Sequence, residues 1–499
     1  MSPARLNLAQ VCLERQAQQT PDKIALIVTT GDNANNERWT YAQLDRAVRS
    51  VGAGLLALGL KPRDRVLLRL PDSANYALLF FGAIAAGLVP VPISARLTVS
   101  DAAFLATDTD AAAVIGAIPP GSGALLLDAA AVEQLKQAVP MSFYADTAAD
   151  DPAYMIYTSG TGSRPKGVLH AHRVVMGRAP MRQDWQAIGP DDVMLHAGAF
   201  NWSYTLGVGL LDPWAAGATA VLYAGTKAAT VWPALIRSSG ATLFAAVPSL
   251  YRQILKYSAL NSADFSRLRH CLAAGEAMSP AIYSGWLAAT GCQIYEAFGM
   301  SECSSFISSG PDVPVRPGSA GKPQIGRQVA VLPRDAGTDP LPMGQVGLLA
   351  IHRSESGLML GYWRRPEEDA ATLRGDWFIG GDLAEFDADG YVWHRGRADD
   401  TMNAGGYRVS PVEVEAALAD CPGIAELAVT EVQVRPDVTI IAAFAVRSAA
   451  SNVTEGDILR HAQHRLAAYK QPKQVHFVEA LPRSANGKLL RRALASVIA

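Results

Sequence analysis

The sequence predicts an α/β protein: a large N-terminal domain of layered, mostly parallel sheets with a β-rich subdomain, then a small α+β C-terminal domain. Three textures along the chain predict it. From Lys23 to Gly299 apolar strand-like runs alternate with helical patterns, an order that builds parallel sheets covered by helices. From about Pro317 short strands and turns take over, and helices fade. After "RGRADDT" helices and strands mix again. The expected boundaries are 1–397 for the large domain, divided into 1–316 (α/β) and 317–397 (β-rich), and 398–499 for the small one.

In the first region the strands are "KIALIV", "RVLLRL", "ATAVLYAG", "TLFAAVPS", "HCLAAGE" and "CQIYEAFG", with a helix from Leu44 to Leu60 between the first two. The most apolar stretch, "ALLFFGAIAAGLVPVPI" from Ala77 to Ile93, is broken by Pro90 and Pro92. It is also short of the ~20 residues of a membrane span, so it reads as a buried helix running into a buried strand. The turn-forming "IPPGSGA", Ile118 to Ala124, reads as a surface connection. In the β-rich region the strands are "VGLLAIHR", "DWFIGGDLAEF" and "DADGYVWHRG". In the last region Ser410, Pro411 and Glu413 form a capping-box start for the helix "PVEVEAALAD". Strands "ELAVTEV" and "VTIIAAFAV" and a helix near Ile458 to Ala468 follow.

A chain of 499 residues exceeds one hydrophobic core, and 49% hydrophobic residues suffice to fill several. The net charge of -2 comes without long single-sign runs, so nothing electrostatic points to nucleic acid or a membrane as partner. Cys12, Cys271, Cys292, Cys303 and Cys421 are odd in number and scattered, with neither metal-ligand pairs nor a disulfide framework. The start "MSPARLNLAQ" lacks the pattern of a signal peptide. A reducing cytoplasm is the expected setting.

Behind the apolar run "AYMIY" stands "YTSGTGSRPKG", Tyr157 to Gly167. Its glycines let the backbone approach a ligand, its hydroxyls and N–H groups donate hydrogen bonds, and Arg164 and Lys166 bring positive charge. That is the chemistry of holding phosphate oxygens. It is not a Walker A loop, which needs G-x-x-x-x-G-K-[ST], because here Lys166 precedes Gly167.

Four more motifs follow: "GEAMS" (Gly275 to Ser279), "FGMSE" (Phe298 to Glu302), "GDLAEFDADGYVWHRGRADD" and "PRSANGKLLRR". Together, and in this order, the five resemble the adenylate-forming superfamily, which includes acyl- and aryl-CoA synthetases, luciferases and peptide-synthetase adenylation domains. "YTSGTGSRPKGV" is similar to that family's "YTSGTTGKPKGV", departing at Gly162, Ser163 and Arg164. The resemblance implies that Thr158, Ser159, Gly160, Thr161, Gly162 and Lys166 hold the phosphates of ATP. It implies that Gly275, Glu276 and Ala277 flank the adenine, that Phe298 and Gly299 lie against it, that Ser301 contacts phosphate and that Glu302 holds Mg²⁺. Asp382 then accepts hydrogen bonds from both ribose hydroxyls, which suits a carboxylate facing a vicinal diol, and Arg397 also reaches the ribose. Asp399 falls at the hinge of a mobile small domain, and Lys488 at the catalytic lysine.

The activity implied is that of an acid:CoA ligase. ATP and a carboxylate give acyl-AMP and pyrophosphate, and coenzyme A then takes the acyl group, with Gly405 and Gly406 of "NAGGYRVSP" lining the pantetheine channel. No carrier segment follows Lys488, so free CoA is the expected acceptor, and the pattern is closest to short- and medium-chain acyl-CoA synthetases. "HAGAFNWSYTLG" offers Phe200, Trp202 and Tyr204 to the acid pocket and no carboxylate. An ammonium buried without a partner costs several kcal/mol, so amino-acid substrates are disfavoured. Those aromatic side chains suit a pocket or a core equally, and aliphatic, cyclic and aryl acids all stay open. Two other readings compete: an acyl-AMP ligase loading a separate carrier protein, and a non-catalytic nucleotide-binding member. "PRSANGK" also resembles an acetylation signature, which would make a lysine acetyltransferase acting on Lys488 a partner.

Overall fold

The computed structural model describes residues 4–31, 35–117, 123–158, 165–400, 402–404, 407–435, 438–449, 451–483 and 489–497. It divides into two compact units, 1–328 with 352–373 and 329–351 with 374–499.

In the first unit six strands run parallel in one sheet, in the order Ile294–Met300, His270–Ala274, Leu243–Ala246, Val193–His196, Thr219–Tyr223, Ile24–Thr29. Antiparallel strands flank them: Ser304–Ser308 and Lys322–Pro323 on one edge, Glu37–Thr40 on the other. The inner strands are buried on both faces, which is why they read as continuous apolar runs. A second sheet of four parallel strands holds Arg65–Leu68 between Val89–Pro92 and Ala111–Ile115. The apolar stretch after Ser73 is the expected helix, Ala74–Ala85, feeding that sheet, and each of its residues but Asn75 is buried. Among the described residues no helix is long and apolar enough to cross a membrane. Residues 118–122 of the expected surface connection lie outside the described residues.

A third, antiparallel sheet matters most for the site. Pro152–Thr158 pairs with Lys166–Ala171, and Thr158 stands directly opposite Lys166. Gly361–Tyr362 adds to the far side of the second strand, with Tyr362 opposite Val168.

In the second unit, Trp377–Phe386 and Val392–Arg397 form an antiparallel hairpin beside Gly347–His352 and Val329–Leu332. Ile424–Arg435 and Val438–Arg447 pair in a long hairpin, and Gln474–Phe477 runs parallel to the latter. Pro411–Leu418 is the expected helix, but its capping box is absent. Ser410 does sit at the N-cap, yet its hydroxyl donates instead to Arg395 O at 2.7 Å, and Glu413 pairs with Lys470. Tertiary partners outcompete the local cap. A capping box does form at the next helix, Glu455–Gln463, between Thr454 and Asp457.

Candidate active site

The hairpin of Pro152–Thr158 with Lys166–Ala171 and the turn after Ile294–Met300 bring Lys166 and Glu302 together at Tyr362. Thr158 and Lys166 are the two feet of the loop. Ser159, Gly160, Thr161, Gly162 and Arg164 lie outside the described residues. Lys166 pairs through Nζ with Glu368 Oε2, and the same ammonium lies 5.1 Å from the ring centre of Tyr362. Glu302 Oε1 accepts a hydrogen bond from the Tyr362 hydroxyl at 2.8 Å, while its backbone carbonyl accepts from Met359 N at 2.7 Å. Ser301 is held from two sides. His170 Nε2–H donates to its carbonyl at 2.8 Å, and its hydroxyl meets that of Ser203 at 3.4 Å. Burial pushes the His170 pKa down to about 4, so the ring stays neutral near pH 7.

Gly275 has φ +93°, and a Cβ there would stand 2.9 Å from the indole of Trp202. Only glycine suits both constraints. Glu276 accepts from Ser249 N at 3.1 Å and from its hydroxyl at 3.2 Å, so its carboxylate anchors this turn. The next anchor is Glu296, which accepts from Met278 N at 3.2 Å and from the Tyr283 hydroxyl at 2.7 Å. Burial raises its pKa to about 7. Phe298, on the same strand, meets Phe306 edge to face at 5.8 Å. Gly299 faces the crossing chain: a Cβ would stand 2.3 Å from Ser304 O.

The aromatic residues of "HAGAFNWSYTLG" separate. Phe200 is core, stacked on Tyr76 at 5.7 Å, whereas Trp202 meets Tyr204 edge to face at 5.6 Å and covers Gly275. Asp72 accepts from Phe200 N at 3.0 Å, but Lys227 matches its charge at 2.6 Å. Burial, aided by Lys227, lowers the His196 pKa to about 3.

In the second unit Asp382 is 7% exposed and has a donor on each oxygen. His394 Nε2–H reaches Oδ1 at 2.9 Å and Arg397 Nη1 reaches Oδ2 at 3.4 Å. Arg397 is steadied by Gly380 O at 2.9 Å and Asp399 at 3.0 Å. Asp399 lies in the turn Ala398–Asp400 and also faces Arg492. Gly405, Gly406 and Lys488 lie outside the described residues. Among the described residues no group of three His, Cys, Asp or Glu side chains could hold a metal by itself. A lone carboxylate such as Glu302 fits Mg²⁺ carried in by phosphates, since that ion keeps few protein ligands.

The motif reading missed Tyr362, Glu368, His394 and Glu296. Only His394 sat inside a quoted motif, and nothing local marks it as a partner of Asp382.

Residues 13–363 match the AMP-binding enzyme family, and residues 413–488 match the AMP-binding enzyme C-terminal domain. The chain is 31% identical to 3-hydroxybenzoate–CoA ligase of Aromatoleum sp. (strain CIB), over 92% of this chain and 91% of that one. It is 32% identical to benzoate–CoA ligase of Thauera aromatica, over 92% and 90%. Among solved structures, ATP-bound MatB from Rhodopseudomonas palustris superposes with a TM-score of 0.91 at 27% identity, over 98% of each chain.

Proposed function

The chain belongs to the AMP-binding enzyme family, and on that premise we propose that its acid is a small aromatic carboxylate. It is an ATP-dependent acid:CoA ligase that uses ATP with Mg²⁺ and coenzyme A. The observation that carries the aromatic reading is Trp202 over Gly275 with Tyr204 meeting it edge to face, two aromatic rings in the stretch assigned to the acid. The substrates named for the benzoate and 3-hydroxybenzoate ligases support it. Asp72, the carboxylate nearest that stretch in the hydrogen-bond network, is matched by Lys227, so no ammonium on the substrate is called for.

In the first step a carboxylate oxygen attacks the α-phosphorus of ATP, and pyrophosphate leaves. Charge builds on phosphate oxygens, so the protein contributes fixed cations and donors. We assign Thr158, Ser159, Thr161 and Lys166 to the β and γ phosphates, Ser301 to phosphate and Glu302 to Mg²⁺. Phe298 and the turn from Gly275 to Ala277 flank the adenine, and Asp382 with Arg397 takes the ribose. Lys488 approaches the attacking carboxylate and α-phosphate. In the second step the sulfur of coenzyme A attacks the acyl carbon and AMP leaves, with Gly405 and Gly406 along the pantetheine and Asp399 as the hinge. All five cysteines are buried free thiols, which supports a cytoplasmic setting. Acetylation of Lys488 draws no support from the relatives.

The test is pyrophosphate release over a panel of aliphatic, cyclic and aromatic acids, with and without CoA. Benzoate and its hydroxy derivatives are expected to lead, and a clear preference for an aliphatic acid refutes the aromatic reading. Lys488→Ala should abolish acyl-AMP formation yet leave thioester formation from supplied acyl-AMP largely intact. Equal loss of both steps removes that assignment.

A further inference from the structure

Tyr362 touches both charged groups assigned to the triphosphate and its metal, although no motif of the sequence reading contains it. Its hydroxyl donates to Glu302 at 2.8 Å, and its ring face lies 5.1 Å from the Lys166 ammonium. The backbone leaves it little freedom. Tyr362 N donates to Asp369 Oδ1 at 2.7 Å, and the residue pairs with Val168, two places along the strand from Lys166 and therefore on the same face. Trp363 N, the next along, donates to Gly167 O at 2.7 Å. The residue is 8% exposed. The phenol is thus a donor fixed on the Glu302 carboxylate.

We propose that Tyr362 is a positioning residue that sets Lys166 against Glu302, holding the ammonium by its ring face and the carboxylate by its hydroxyl. The inference rests on the assignment of Lys166 to the phosphates and Glu302 to Mg²⁺. Two properties then separate. The hydroxyl governs how readily the carboxylate meets the metal, because a carboxylate without its orienting donor must be organised by the ion itself. The ring governs the lysine, because a cation held on an aromatic face is kept in place without being neutralised.

The experiment compares full-length wild type with Tyr362→Phe and Tyr362→Leu, after thermal melting confirms that each folds. ATP affinity is measured by calorimetry in EDTA and across a Mg²⁺ titration, and pyrophosphate release is followed with the best acid of the panel. Tyr362→Phe is expected to leave metal-free ATP affinity within about twofold and to raise the Mg²⁺ midpoint roughly five- to tenfold. Tyr362→Leu is expected to raise that midpoint too and to weaken metal-free ATP binding as well. Adding Tyr362→Phe to Glu302→Gln should move the midpoint no further than Glu302→Gln does. A wild-type Mg²⁺ midpoint in Tyr362→Phe, with Glu302→Gln shifted, overturns the proposal alone. An unshifted midpoint in Glu302→Gln overturns it together with the assignment of Glu302.

Discussion

Asp382 in the second unit and Lys166 in the first are both assigned to ATP, and the protein holds them in opposite ways. Each Asp382 oxygen already accepts one hydrogen bond, from His394 or from Arg397, and a carboxylate has lone pairs left over. A diol donates into those without displacing anything. Lys166 is instead matched by the carboxylate of Glu368, whose side chain is 34% exposed. On that assignment a triphosphate has to take the ammonium over, and the partly exposed Glu368 side chain returns to water at modest cost. On these assignments one group is preorganised for its ligand, and the other is released to it by exchange.

The sharpest way to break that contrast is Lys166→Met, which removes the exchanged charge altogether. Adenylation should fall roughly 10²- to 10³-fold in single-turnover pyrophosphate release. A loss under tenfold would mean that Lys166 does not meet the transferring phosphates.

Glu296 is a buried acid held differently again, among the described residues by two donors and no cation. Its folded pKa of about 7 lies above the ordinary 4.5, so the folded protein binds the extra proton between those values. Stability should therefore fall as pH rises from about 4.5 to 7, by about 3 kcal/mol in full, and stay low above. Glu296→Gln, whose amide oxygen still accepts from Met278 N, should remove that slope. The melting temperature of the variant minus that of wild type is expected to grow from pH 5 to pH 8; a constant difference would mean that Glu296 titrates normally.

Asp382→Asn tests the preorganised side. The amide keeps the shape but puts an NH₂ where a donor already points, and the KM for ATP should rise roughly 10- to 100-fold with a smaller change in kcat. If kcat falls as far as with Lys166→Met, the two groups do not differ in the way described.

The smallest effect is expected from Glu368→Gln. With the competing carboxylate gone, ATP should bind about two- to fivefold more tightly at low salt, and the gain should shrink as salt screens the pair. Weaker binding would recast Glu368 as part of the site.

The strands were legible because each is a buried apolar run bounded by turns, from "KIALIV" to "CQIYEAFG". The charged motifs were legible as a set because their order carries information that no single one does. Tyr362 and Glu368 were not, because their partners Glu302 and Lys166 lie far away along the chain and meet them only once Gly361–Tyr362 has paired with the strand that carries Lys166. His394 escaped for a subtler reason. Its contact with Asp382 follows from hairpin register, in which Ala384 faces His394 and a bulge intervenes before Asp382. Ser410 misled because its hydroxyl had a better acceptor in Arg395 O than its own helix offered.

The pairing of Thr158 with Lys166 constrains how this chain can drift. Side chains alternate between faces along a strand, so losing or gaining one residue inside Gly167–Ala171 would turn the ammonium to the wrong side of the sheet. The strand behind Lys166 is therefore a frame of fixed length, which has to be inherited intact whatever side chains it carries.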